Sequence, residues 1–485
     1  MISDRSATAI KKQFVVVGGS LYSLVLVGAL LNDGVEPEQI LLVESSTHLG
    51  GQFRSDLGSN DLLFDKGTRI LYETGDLRAD SFIKSIVERC PSKILSGNRK
   101  DVGGTVKDGQ FNHGSVFPSF RSLTVDQKVR ILGEILMCVD KKPPGDFHSP
   151  ASLSQFLNSQ FGTTARELIH EPICRKIFGR ESGVLSNRVL DIIPLGRLCG
   201  LSHQAMKDLV ASEELRSRLA FPDQLELPLV RQDNYRGFYP EKNGIQNFVD
   251  TAESLLREAG VKILLGCSVT SIFIQQNQPR SNTMSLRDST GNWLTVTSEK
   301  QIIWTSGLRA LALCAGINPI LLPEAPNRKM KSVHFMIRDN TPMGELYYAY
   351  CHEPNLNLFR LTNYSAYCGF QSNSDLVPIT AEFFDDGVTQ PLLLNEAIRE
   401  LCLVMDIQSR DPNEVQYVGM SKGALPVPDL EIENTWSLIS VQLAEKFAGR
   451  VTSSGLSTGR PKFLGREVVN DVLSQVDLKT ALCDS

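Results

Sequence analysis

The stretch Phe14-Val15-Val16-Val17-Gly18-Gly19-Ser20-Leu21-Tyr22-Ser23 decides the fold. Four consecutive apolar residues read as a strand buried on both faces, and Gly18-Gly19-Ser20 breaks it into a tight turn. The apolar run from Leu21 reads as a helix, and Ile40-Leu41-Leu42-Val43 as a second buried strand that ends on Glu44. In such a βαβ unit the turn opens a helix N-terminus toward a pyrophosphate, and an acidic residue about 20 positions on accepts the ribose hydroxyls. A dinucleotide site is therefore expected, with Gly18, Gly19, Ser20, Ser23 and Glu44 as contacts. Of the three glycine positions in G-x-G-x-x-G only the first is glycine; Ser20 and Ser23 hold the others and permit a looser approach. A membrane span does not fit, because the run from Val15 to Leu31 is interrupted at Gly18-Gly19-Ser20 and Ser23 and is shorter than the ~20 residues a bilayer needs.

Glu44 is followed by Ser45-Ser46-Thr47-His48-Leu49-Gly50-Gly51-Gln52-Phe53-Arg54-Ser55, and later by Phe64-Asp65-Lys66-Gly67-Thr68-Arg69. Paired glycines let the backbone pass where any side chain would collide with a bound ligand. Together these segments resemble the FAD-dependent amine oxidase superfamily, with its glutamate, paired glycines and F-D-x-G-x-[HR] segment. The resemblance implies FAD as cofactor and adds Gly50, Gly51, Gln52, Arg54 and Arg69 to its contacts. The family's arginines at the positions of His48 and Gln52 are missing, which removes charge from the phosphate clamp and leaves its backbone part.

Phe238-Tyr239-Pro240-Glu241-Lys242-Asn243-Gly244-Ile245 opens a third block, a helix with apolar residues at Phe248, Ala252, Leu255 and Leu256. Gly260 stops it, and the strands Val261-Lys262-Ile263-Leu264-Leu265 and Cys267-Ser268-Val269-Thr270-Ser271-Ile272 follow. This is similar to the superfamily's Y-P-x-G-G helix and G-x-x-V-x-x-I strand, and it implies that Val269 meets the adenine through its backbone. Gln301-Ile302-Ile303-Trp304-Thr305-Ser306-Gly307 reads as the strand returning to this domain. Near the end, Val451 to Gly455, Gly459-Arg460 and Phe463-Leu464, with a helix from Val468 to Val476, resemble the segment that closes the flavin site. Gly455, Gly459 and Phe463 are its implied contacts, the two glycines competing for one role.

The 485 residues, 41% of them hydrophobic, suit a large protein of two or more structural units. A net charge of −5 without a basic stripe argues against nucleic acid. Ten cysteines without a CxxC pair, and no signal peptide ahead of the first strand, read as reduced thiols of a cytoplasmic protein. Seven scattered histidines give no metal set.

The order of the blocks predicts an α/β fold, a Rossmann-like FAD-binding domain in three pieces (12–75, 236–310 and 445–475) interleaved with an α+β substrate domain. Its first part, 76–235, reads as mostly helical, with helices at Ala79–Arg89, Val125–Cys138, Ser152–Phe161 and Thr164–Phe178. The second, 326–435, reads as β-rich, with strands at Ser332–Ile337, Leu346–Cys351 and Leu356–Thr362 and a helix at Leu394–Met405. Pro143-Pro144-Gly145-Asp146 marks a loop.

Four residues are candidates for contacts to a substrate, and the arginines among them suit an anionic one. Pro172-Ile173-Cys174-Arg175-Lys176-Ile177-Phe178-Gly179 resembles a run in UDP-galactopyranose mutases, and Pro194-Leu195-Gly196-Arg197 lies where those enzymes bind a diphosphate. Arg175 is either a substrate contact or a solvated helix end, and Arg197 an anion fork or a surface ion pair. On Asn357 to Tyr364 strand alternation puts Arg360, Thr362 and Tyr364 on one face, lining a cleft or facing solvent. Tyr348 fits a substrate wall or plain sheet packing. The reading is a FAD-dependent oxidoreductase of the amine oxidase and protoporphyrinogen oxidase-like group, in which a small-molecule substrate gives a hydride to flavin N5. A flavin-dependent nucleotide-sugar mutase and a non-catalytic flavin-binding protein are the alternatives.

Overall fold

The computed structural model describes residues 8–59, 61–142, 151–209, 211–229, 232–242, 244–274, 282–338, 342–368, 376–385, 393–407, 414–454 and 465–476. Two seven-stranded sheets organise them. In the first, the order is Lys262–Leu264, Ile40–Val43, Thr8–Val17, Trp293–Trp304, Asn282–Asp288 and Cys267–Ile274, and Val451–Ser453 also pairs with Trp293–Trp304. The strands drawn from five separate stretches run parallel, and their registers align Leu264, Val43, Val17, Trp304 and Ser453 in one row. The carboxyl ends of these strands thus share one edge, the edge at which open α/β sheets bind ligands.

Strand alternation distributes the first sheet's side chains between two cores. Phe14, Val16, Ile40, Leu42 and Ile303 join a core with the helix Leu21–Asn32, whereas Val15, Val17, Leu41, Val43, Ile302 and Trp304 pack with the helices Leu308–Cys314 and Leu430–Phe447. Burial on both faces is why these strands read as unbroken apolar runs. The helix Leu21–Asn32 is itself buried from Leu21 to Leu30, and Gly28 lets the Phe82 ring come so close that a Cβ would lie 2.1 Å from it.

The second sheet runs Val415–Pro426, Asn327–Arg338, Leu376–Phe384, Leu358–Asn363, Tyr348–Cys351, Gly103–Lys107 and Gln110–Asn112. One face, with Val333, Phe335, Leu361 and Phe383, joins the core beside the first sheet; the other, with Tyr350, Phe359 and Phe384, is covered by helices of the 120–221 region. Neither face of Leu358–Asn363 is a solvent face, which corrects one of the two readings of that strand. The strands Gly103–Lys107 and Gln110–Asn112 come from the stretch read as mostly helical. Their pattern is weakened by Gly103, which cannot carry a Cβ because one would lie 2.2 Å from Val116 and 2.7 Å from the Tyr348 ring. Among the described residues no helix is long and apolar enough to cross a membrane.

Candidate functional site

At the shared strand edge the chain builds a turn from residues far apart in sequence. Gly18 N–H donates to Val43 O at 2.9 Å, and Thr305 N–H to Val17 O at 2.9 Å. Gly18 has φ +111°, and a Cβ on it would sit 2.4 Å from Thr305 Oγ1, so the position demands glycine twice over. A Cβ on Gly19 would meet Leu49 at 2.5 Å. Ser20 caps the helix Leu21–Asn32, its Oγ accepting from Ser23 N–H at 3.3 Å, while the amides of the helix's first turn have no intrahelical acceptor. Gly50 N–H donates to Gly19 O at 2.7 Å, laying the second glycine pair beside the first turn. Gly50 and Gly51 have φ +114° and +55°.

Glu44 stands at the end of its strand, partly buried. Oε2 accepts from Gly19 N–H at 2.7 Å and Oε1 from Ser46 N–H at 2.7 Å, so the carboxylate already braces the turn. Gln52 is exposed in the 3-10 turn Gly51–Phe53, and Arg54 follows it. Val269 lies on the strand Cys267–Ile274 and its carbonyl accepts the Cys314 thiol at 3.2 Å. Gly455, Gly459 and Phe463 lie outside the described residues. The closing helix spans Gly465–Gln475, and a Cβ on Gly465 would lie 1.9 Å from the Tyr22 ring, so this helix begins against the start of the first one.

Asp65 ties the second and third motifs together. It is fully buried and accepts from Ser55 Oγ at 2.6 Å, Tyr239 Oη at 2.7 Å and Ile245 N–H at 3.0 Å. Burial raises its carboxyl above the ordinary value, against the pull of these donors. Its own N–H donates to Tyr364 Oη at 2.7 Å, which fixes the segment 65–69 against the second sheet. There Arg360 and Glu382 face one another on adjacent strands, joined through Arg360 Nε and, at 3.0 Å, Arg360 Nη2. Gly67, with φ +79°, admits that pair: a Cβ would fall 2.1 Å from Arg360 Nη2.

Arg69, next to this pair, has a buried Nε with no hydrogen-bond partner among the described residues. Burial lowers its basicity and the neighbouring Arg360 charge adds to the effect, while Glu382 and Asp65 offset it. Its guanidinium lies 5.9 Å from the Phe53 ring. Contacts then close a circuit. Phe53 meets Tyr22 edge-on at 5.5 Å, Tyr22 Oη accepts from Tyr72 N–H at 3.1 Å, and Tyr72 lies in the field of Asp101, whose carboxylate accepts the Tyr348 hydroxyl. Tyr348 meets Tyr350 edge-on at 5.7 Å, and Arg360 lies 5.7 Å from the Tyr350 ring. Burial pushes Tyr22 up to about 12 and raises Tyr72 and Tyr348 well above the ordinary phenol value, so all three keep their protons at neutral pH. Tyr22, Tyr72, Asp101 and Thr305 escaped the sequence reading. Only Thr305 carried a signal, its place directly after a strand of the shared edge.

The mutase-like run is placed elsewhere. Arg175 is 62% exposed and paired with Glu181 at 3.1 Å. Lys176 is turned inward, donating to the carbonyls of Glu353 and Leu356. Arg197 is exposed, 5.5 Å from the Phe117 ring, with no carboxylate partner among the described residues. No cluster of three or more His, Cys, Asp or Glu among the described residues is arranged to hold a metal.

A turn needing glycine at Gly18, a second glycine pair at positive φ, a helix start and an Arg69 guanidinium whose Nε has no hydrogen-bond partner among the described residues together fit an anionic dinucleotide such as FAD. No protein-family model and no curated protein sequence matches the chain. Solved structures do. Reduced UDP-galactopyranose mutase is similar over 96% of this chain and 94% of its own, with a TM-score of 0.66 and 14% identity. A protoporphyrinogen oxidase-like protein from Exiguobacterium sp. 255-15 is similar over 96% and 98%, with a TM-score of 0.60 and 13% identity. A putrescine oxidase redesigned in its cofactor binding is similar over 98% and 100%, with a TM-score of 0.57 and 11% identity. The chain thus has the fold these proteins share, a Rossmann-like domain interleaved with an α+β domain, as its resemblance to the amine oxidase superfamily implies.

Proposed function

We propose that the protein is a FAD-dependent oxidoreductase, with its domains divided as the sequence blocks imply. The observation that carries the cofactor is the shared strand edge. Gly18, Gly19, Ser20 and Ser23 lie at the end of one parallel strand, Glu44 at the end of the next, and Gly50, followed by Gly51, bridges back to the turn at Ser20. These residues would hold the pyrophosphate and ribose, with Gln52, Arg54 and the backbone of Val269 further along the ligand and Arg69 facing its charge. FAD, when bound, supplies a hydride acceptor for substrate oxidation. The chain would supply position: Tyr348, braced by the Asp101 carboxylate, and the Arg360–Glu382 pair would form a wall against which a substrate is held.

The mutase alternative is supported by the overlap with UDP-galactopyranose mutase and is opposed by the cations. Recognition of a diphosphate calls for free arginine or lysine donors. Arg175 pairs with Glu181, Lys176 is committed to two carbonyls and Arg360 to Glu382, which leaves Arg197 as the substrate-anion contact we retain. The test is optical. Protein purified with flavin should show the visible flavin band, and anaerobic mixing with amines should bleach it. An oxidised form that stays yellow with every amine, while the dithionite-reduced form interconverts a nucleotide sugar, assigns the mutase instead.

A further inference from the structure

Three hydroxyls at the fingerprint form a column whose direction the structure fixes. Thr305 Oγ1 donates to Val17 O at 3.0 Å, and a carbonyl can only accept. A hydroxyl has one proton, so in the 2.9 Å contact between Ser23 and Thr305 the donor is Ser23. By the same count Ser20 donates to Ser23 across 2.9 Å. Ser20 Oγ also accepts from Ser23 N–H at 3.3 Å. Its only proton therefore points into the fold, toward Ser23, and is not offered to a ligand.

Resting on the FAD reading, we propose that Ser20 binds the cofactor pyrophosphate through its hydroxyl, and that the Ser20–Ser23–Thr305 column reverses its proton order when it does. In the reversed order Ser20 donates to a phosphate oxygen, Ser23 donates to Ser20 and Thr305 donates to Ser23. No proton is gained or lost; each hydroxyl rotates. The bond given up is Thr305 Oγ1 to Val17 O, and that carbonyl keeps the Thr305 N–H at 2.9 Å. Reversal is thus cheap, and the serines replace a close backbone approach with a side-chain donor. Ser20 is partly exposed while Ser23 is 1% exposed, as a column leading from a ligand surface inward requires.

Thr305 then restrains Ser20, which gives the idea a sign that lost folding cannot imitate. Apo-protein is titrated with FAD, following flavin fluorescence, for wild type, Ser20→Ala, Ser20→Gly and Thr305→Val. Ser20→Ala should weaken binding roughly tenfold, the loss of one charge-assisted bond. Ser20→Gly should bind within about threefold of wild type, because the backbone approach returns. Thr305→Val removes the inward acceptor, leaves Ser23 free to donate to Ser20, and should tighten FAD by several-fold. Phosphorus NMR of bound FAD should shift in Ser20→Ala and Thr305→Val. Wild-type affinity in Ser20→Ala, or weaker binding in Thr305→Val, overturns the column while leaving the cofactor assignment standing. Wild-type protein that takes up no FAD overturns both.

Discussion

Asp65 Oδ2 accepts the Tyr239 hydroxyl at 2.7 Å, joining two segments 174 residues apart inside a fully buried site. The pair is what makes the F-D-x-G and Y-P segments one structure. Asp65→Ala should destabilise the protein by about 3–5 kcal/mol, since Ser55, Tyr239 and Ile245 N–H would all lose their acceptor in the interior. Tyr239→Phe removes one donor to the carboxylate and also the acceptor of Gly244 N–H at 3.0 Å, and should cost about 1–3 kcal/mol. Urea unfolding of both variants measures the difference; equal losses would show that the Tyr239 hydroxyl carries the whole effect and that the Ser55 and Ile245 donors to the carboxylate add nothing.

Arg360 and Glu382 give a second, opposite pattern. Glu382→Ala alone leaves a guanidinium in the interior without its partner and should cost about 3–5 kcal/mol. Replacing both by leucine should recover most of that loss, because a paired charge is largely offset by its own desolvation. A double variant as unstable as the single one would mean that Arg360 has another acceptor. The double variant also separates roles: if it folds and still turns over substrate with an unchanged KM, Arg360 is an architectural residue.

The fold was legible where local chemistry and tertiary position agree. Gly18, Glu44, Gly50 and the apolar strand runs announce themselves because the backbone geometry there admits few residue types. The helices Leu77–Arg89 and Val125–Met137 begin and end near the residues their periodicity marks. What the sequence hides is partnership across the two sheets. Nothing local to Arg360 indicates that Glu382 sits in register on the next strand, and nothing near Lys176 indicates that it turns inward to hold the Glu353–Leu356 carbonyls. Gly103-Gly104 conceals a strand, because its glycines answer to Tyr348 and Leu346 rather than to β propensity. A motif likeness around Arg175 therefore says little about ligands until the partners of its cations are known.

On the FAD reading Glu44 has a second task beside bracing the turn, and two variants separate the two. In the free protein it accepts from Gly19 and Ser46 N–H, so Glu44→Ala should lower stability by about 1.5–3 kcal/mol without any ligand present. Loss of the ribose contact should weaken FAD by a further one to two orders of magnitude, the equivalent of about 1.5–3 kcal/mol. Glu44→Gln keeps one acceptor oxygen and should fall between wild type and alanine on both scales. Calorimetric titration with FAD, alongside thermal melts of the apo forms, reads the two effects apart. Unchanged FAD affinity in Glu44→Ala would remove Glu44 from the ribose site and leave it as a brace of the turn.

His170 makes the helical region sensitive to acid. It is fully buried, stacked on Phe161 at 5.1 Å with its Nδ1 3.2 Å from Ala165 O, and burial brings its pKa down to about 4. The unfolded chain binds a proton on this residue near pH 6.5 and the native chain does not until about pH 4. Between those values the unfolded state holds more protons, so native stability falls as pH drops through the window and levels off below it. The shift corresponds to roughly 3 kcal/mol lost between pH 7 and pH 4. His170→Gln loses ring packing at every pH but has nothing to titrate. Its deficit relative to wild type should therefore be largest at pH 7 and shrink toward pH 4, as followed by denaturant unfolding at each pH. A deficit that stays constant across the window would mean that His170 is not the group that charges.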